Sequence, residues 1–205
     1  MENEITQLMQ ETRQEVASDT FWDSEIEKAN LDTNSIKLLG QANMLYTQGN
    51  SVDSIKLLLT IIKANPNAPE PWLTLALNHD SNKSHRKAFG AYLIAAHLTR
   101  DPQLWKRLSL ISQNDNNYPQ AIYCLNKCVT CDPSDVDAIW DLAYLCYHEK
   151  RYQKAIDLYL NILQLAPFDI TVTMEVVKIY KKLNHFKEAV TLLEVLLFNL
   201  ECNGG

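Results

Sequence analysis

The sequence predicts an all-α fold: an array of stacked helical hairpins. Two rows of small residues and one missing pattern support this. Small residues recur at Ser54, Ala88, Ala121, Ala155 and Ala189, at steps of 34, 33, 34 and 34 residues. A second row, Ala42, Ala76, Ser109, Ala143 and Val177, runs twelve residues ahead of the first. Two small rows at fixed offset let two helices approach closely, because side chains at the crossing set the interaxial distance. After Ser35 no alternation of apolar and polar residues is long enough to propose a strand.

A period of 34 with a small residue in each of two helical segments and a proline near the end resembles the tetratricopeptide repeat, a helix-turn-helix unit that stacks into a right-handed solenoid. About five units fit, at 35–68, 69–101, 102–135, 136–169 and 170–203, behind an acidic extension at 1–34. The first unit takes Ala42 on helix A, turns at "QGN" (48 to 50), places Ser54 and Leu58 on helix B and ends at Pro66. The second opens with Trp72, carries Ala88 and Tyr92, and ends at Arg100, where proline is usual; this link is the least regular. Pro102 then opens the third unit, since proline fits the first turn of a helix without losing a bond. Trp105, "DNN" (115 to 117), Ala121, Leu125 and Pro133 follow in register. The fourth unit carries Ala143, Ala155, Tyr159 and Pro167. The fifth carries Val177, "LNH" (183 to 185), Ala189 and Leu193, and reaches Glu201.

Of 205 residues, 46% are hydrophobic and 21% charged, which suits a soluble folded chain. The net charge of −6 is uneven: residues 1–34 hold nine acids against two bases, and the remainder is close to neutral. A near-neutral array gives no basic cluster for direct DNA binding, so DNA is expected only indirectly, through a complex. No apolar run approaches the roughly 18 residues of a spanning helix, and "MENEITQLMQETRQEV" lacks the features of a signal peptide. The expected setting is cytosolic or nuclear, without membrane contact.

Within the extension, Ile5, Leu8, Met9, Thr12 and Val16 form a mostly apolar stripe at helical spacing. Three roles stand open for it: capping helix, partner-binding segment or disordered stretch. Phe21 and Trp22, flanked by Asp19, Asp23 and Glu25, serve either as an anchor of the tail on the array's own groove or as an exposed docking motif.

The chemistry-bearing residues favour no reaction. Neither GxxxxGK[ST] nor GxGxxG occurs, which removes the usual nucleotide-binding backbone. Cys124, Cys128 and Cys131 lie close together on one helix, but a zinc site needs four ligands and no second pair follows, so core filling explains them better. His79, His85, His97, His148 and His185 fall at five different repeat positions, and none has a partner at a spacing that suggests a triad. The sequence therefore predicts no enzyme, no metal and no cofactor.

Binding is the remaining possibility. The A helices of such an array line its concave face, and repeat positions 2, 5, 9, 12 and 13 point there. Unit four supplies Trp140, Tyr144, Tyr147 and His148, and unit five Met174, Lys178, Lys181 and Lys182. Aromatic rings beside three lysines suit an acidic, aromatic-containing peptide, through ring burial plus charge. Against this stands a packing role for Trp140 and simple solvation of the lysines. The two-carboxylate clamp of chaperone adaptors does not fit: Leu39 replaces its first lysine, and from unit three Lys106 is followed by Leu110 and Asp141.

Specific strings go beyond the generic repeat. "LGQAN" (39 to 43), "LIAAHL" (93 to 98) running to Trp105, and "QAIYCLNKCV" (120 to 129) resemble the tetratricopeptide subunit of the RNA polymerase III transcription factor TFIIIC (tau), over roughly Leu38 to Leu197. The resemblance implies a nuclear scaffold with an acidic N-terminal region and two tetratricopeptide arrays. Its implied partners are other TFIIIC subunits and the TFIIIB components Brf and Bdp, recruited at transfer RNA genes. By that resemblance the chain is expected to be a fragment, corresponding to the first array and part of the tail. Gln41 departs from the larger apolar residue usual at its place. The rival expectation is a tetratricopeptide adaptor in a ubiquitin ligase or chaperone assembly.

Overall fold

The computed structural model describes residues 31–203. The apolar stripe of the extension, Phe21 and Trp22 lie outside the described residues. Among the described residues there are ten helices and no strand: α1 (Thr33–Thr47), α2 (Ser51–Ala64), α3 (Pro69–Ser81), α4 (His85–Thr99), α5 (Pro102–Asn114), α6 (Tyr118–Cys131), α7 (Val136–His148), α8 (Tyr152–Leu165), α9 (Ile170–Lys182) and α10 (Phe186–Asn203). The chain divides into two compact units, one ending at Ile111 and the other beginning at Ser112, inside α5. In the first, α1 packs on α2 and α3 on α4; in the second, α7 packs on α8 and α9 on α10.

Local chemistry starts and stops these helices. Asp32, Asn50, Asn117, Asp135 and Asp169 each accept a hydrogen bond from the amide three residues on, satisfying one orphan donor of the first turn. Prolines 66, 133 and 167 keep the preceding Asn65, Asp132 and Ala166 out of the helical region, at φ −137°, −136° and −132°, so α2, α6 and α8 end there. Arg100 departs from this pattern. It takes the left-handed conformation (φ 53°), and α5 begins two residues later at Pro102. That is the irregular link, and it is two residues shorter than the other connections between repeats.

The turn inside each hairpin has one design. Gly49, Lys83, Asn116, Lys150 and Asn184 all have positive φ, between 56° and 80°. The amide of the next residue reaches back to the last helical turn: Asn50 to Leu45 O (2.9 Å), Ser84 to His79 O (2.8 Å), Asn117 to Ser112 O (2.8 Å), Arg151 to Cys146 O (2.8 Å) and His185 to Tyr180 O (2.9 Å). This is the Schellman closure, which satisfies helix carbonyls through one left-handed residue. Glycine and asparagine mark three of the turns in the sequence, whereas Lys83 and Lys150 do so without any recognisable turn residue.

The two small rows form the hairpin seams. All ten members are buried, none more than 6% exposed. In the first seam Ser54 Oγ donates to Ala42 O (2.9 Å) and accepts from Asn78 Nδ2 (3.1 Å), tying α1, α2 and α3 together. Thr74 Oγ1 donates to Asn43 Oδ1 (3.0 Å) between α1 and α3. Trp72 sends its indole N–H to Pro66 O (2.8 Å), and Trp105 meets His97 edge-on at 4.9 Å. Arg107 pairs with Asp80 (2.6 Å) while its guanidinium lies 4.6 Å from the Tyr92 ring centre.

Two outcomes follow from the turns and this core. Lys150→Gly relieves a left-handed lysine and is expected to raise unfolding stability by about 1 kcal/mol, read from denaturant melts. His79 is buried, its Nε2 lacks a hydrogen-bond partner, and burial, helped by Lys87, holds its pKa below the ordinary 6.5. A depressed histidine contributes stability above its unfolded pKa and loses it as pH falls through the folded one. Stability should therefore decline as pH drops below about 6.5, before carboxylates titrate, and His79→Gln should flatten that decline.

Candidate partner-binding face

Helix α7 has two distinct sides. Ala138, Ile139, Leu142, Ala143, Leu145 and Cys146 are buried. Trp140, Tyr144, Tyr147 and His148, at spacings of four, three and one, share another side, as helical periodicity requires. Helix α9 buries Val172, Thr173, Val176, Val177 and Ile179. One repeat after the α7 group, it carries the exposed Met174, Lys178, Lys181 and Lys182.

Trp140 is half-buried and meets the buried Tyr159 of α8 edge-on, with ring centres 5.2 Å apart. It thus belongs partly to the core and partly to the face. Burial pushes the Tyr159 hydroxyl well above the usual tyrosine range, so it stays protonated. Tyr144 is 51% exposed and lies 4.3 Å from His148, centre to centre. Tyr147 contacts His148 at 5.4 Å and Tyr152 at 5.8 Å.

The lysines differ in state. Lys182 Nζ sits 4.8 Å from the Tyr147 ring centre and 5.0 Å from that of Tyr152, a two-ring cation–π contact. The Tyr152 hydroxyl holds its pKa above the ordinary lysine value against partial desolvation, with Tyr147 adding to the effect. Lys178 pairs with Glu175 one turn earlier on its own helix. Lys181 is exposed. Lys182 is therefore positioned and charged, Lys178 is partly neutralised, and the face offers two exposed cations beside an open tyrosine.

Sequence reasoning placed Tyr159 only as a core residue of helix B and missed Tyr152 and Glu175. It followed A-helix positions alone, whereas Tyr152 opens a B helix. The left-handed Lys150 folds the chain back so that Tyr152 returns beside Tyr147, five residues earlier. No turn signal at "EKR" announces this.

The cysteine cluster is divided by burial. Cys124 and Cys128 are buried and Cys131 is exposed, and burial pushes the Cys124 thiol up to about 12, despite a hydrogen bond with Ser112. A thiol so protonated is a poor nucleophile and a poor metal ligand at neutral pH. Among the described residues no three His, Cys, Asp or Glu side chains are grouped to hold a metal ion, and no helix is long and apolar enough to cross a membrane.

Paired helices on a 34-residue period, closed by one turn design, define a tetratricopeptide protein. The tetratricopeptide repeat family model matches residues 136–164, which include the aromatic side of α7. The solved structure of YrrB, a tetratricopeptide protein, superposes with a TM-score of 0.53 at 13% identity, covering 88% of this chain and 92% of that one, a likeness of fold alone. The chain is similar to human general transcription factor 3C polypeptide 3, at 30% identity over 163 residues, 77% of this chain and 18% of that protein. It is also similar to transcription factor tau subunit sfc4 of Schizosaccharomyces pombe, at 27% identity over 169 residues, 78% of this chain and 17% of that protein. The chain resembles the tetratricopeptide subunit of TFIIIC, and it spans less than a fifth of the length of these relatives.

Tyr152→Phe keeps the ring and removes the hydroxyl that holds Lys182. The Lys182 pKa should fall toward the ordinary 10.5, measured by an NMR pH titration of its ε-methylene signal. An unchanged titration would mean that the rings alone hold the charge.

Proposed function

We propose that this chain is an interaction scaffold of TFIIIC in RNA polymerase III initiation. In this reading it works in the nucleus, joins other TFIIIC subunits, and helps recruit TFIIIB, through Brf or Bdp, at transfer RNA genes. The observation that carries the proposal is the similarity of about four fifths of the chain to transcription factor 3C and tau subunits. DNA is reached through the complex, since the array itself is close to neutral.

The binding element is the face of Trp140, Tyr144, Tyr147, His148, Lys178, Lys181 and Lys182. Its chemistry suits a peptide that brings a carboxylate to Lys181 and Lys182 and an apolar or aromatic side chain to Tyr144. Most of the affinity should come from burying rings, because exposed charge pairs contribute little in water.

Tyr144→Ala combined with Tyr147→Ala tests the assignment. Capture of Brf or Bdp by the double variant should weaken by at least about tenfold, with helical circular dichroism unchanged. Undiminished capture by a folded double variant would remove the face from the proposal. A pull-down from nuclear extract that returns chaperones or ubiquitin-ligase subunits in place of polymerase III factors would replace the TFIIIC reading itself.

A further inference from the structure

Helix α10 carries an apolar row that its own hairpin leaves open. Phe186, Val190, Leu193 and Leu197 follow one another at spacings of four, three and four, which keeps them on one side of the helix. Phe186, Val190 and Leu197 are each more than half exposed, and Leu193 is half-buried. Along one edge of the row, Ala189 and Leu196 are buried in the hairpin. Along the other edge, Lys187 and Glu194 are exposed.

The earlier repeats cover the same places. Val190 corresponds to Ile55, Phe89, Ile122 and Ile156, of which all but Ile55 are buried. Leu193 corresponds to Leu58, Tyr92, Leu125 and Tyr159, all buried. Leu197 corresponds to the buried Ile62 and Ala96 and the half-buried Val129 and Leu163. Helices α2, α6 and α8 each pack on the helix that follows them. Helix α10 keeps large apolar residues at these places without such cover among the described residues, and a contiguous exposed apolar row marks an interaction surface.

We propose that this row is closed by α10 of a second copy of the chain, packed antiparallel about a two-fold axis. The order four, three, four reads the same in both directions. Antiparallel packing therefore sets Phe186 opposite Leu197 of the second copy and Val190 opposite its Leu193, and the symmetry repeats both pairs. The layers so formed contain no polar residue. The same axis brings the two charged edges together, with Lys187 within roughly 3 Å along the helix axis of Glu194 of the second copy. A parallel pair would set this edge against the one that Ala189 and Leu196 bury in their own hairpin. Charge thus selects the antiparallel register, and the apolar row supplies the affinity, since exposed ion pairs contribute little. The row lies on a different helix from the α7 and α9 face, so this inference goes beyond the proposed function and is tested apart from it.

Sedimentation equilibrium of the 205-residue chain over a dilution series tests the contact. A monomer–dimer equilibrium is expected, lost in Leu197→Asp with helical circular dichroism unchanged. Val190→Asp gives the same reading should the first variant unfold. Lys187→Glu and Glu194→Lys should each weaken the dimer by about tenfold, because like charges then meet at both ends. An equimolar mixture of these two variants should form a heterodimer about as tight as the original dimer, since each copy again meets the opposite charge. A chain that stays monomeric throughout the series, or a dimer that Leu197→Asp and Val190→Asp both leave intact, overturns the row as its contact. A mixture that associates no better than either charge variant alone overturns the antiparallel register.

Discussion

The array depends on the contact between the two helices of a hairpin, where a small residue on each side lets the backbones approach. Ala42 against Ser54 shows the contact most fully, because the serine hydroxyl donates to the alanine carbonyl across the seam. Little tolerance is available there. An added methylene forces neighbouring side chains off their rotamers at a cost of about 1–3 kcal/mol. The same spacing recurs every 33 or 34 residues, so each hairpin repeats the same seam. The left-handed residue after each A helix completes the unit by closing the turn into the B helix.

That repetition leaves the exposed positions free to vary, and the candidate face uses this freedom. Helices α7 and α9 bury equivalent positions, Ala143 and Val177 among them, and differ on their open sides. One carries rings and the other cations. Because α8 returns between them, Tyr152 joins Tyr147 and Lys182 in one cluster. The cluster fixes a long, flexible lysine against two rings, so under the proposed binding role less of its entropy is left to lose.

Much of the fold was legible in the sequence because it is written in local period. The small rows, the prolines and the glycine and asparagine turns each act within a few residues, and the structure buries every member of both rows. Lys83 and Lys150 were not legible as turn residues. Lysine rarely adopts positive φ, and only the surrounding hydrogen bonds hold it there. The candidate face was half legible. Trp140, Tyr144, Tyr147 and the lysines follow from position in the repeat, whereas the attachment of Trp140 to Tyr159 and of Lys178 to Glu175 does not.

The sequence by itself determined how many helices follow Ser35, their order and which residues face the seams, since helical period and repeat length are properties of neighbours along the chain. Its strings "LIAAHL" and "QAIYCLNKCV" also determined the resemblance to TFIIIC. Only the tertiary structure decided which open side chains meet. Lys182 lies against two tyrosines from α7 and α8. The lysine and its two rings stand about one repeat apart in sequence, and the packing of three helices, not any local preference, brings them together.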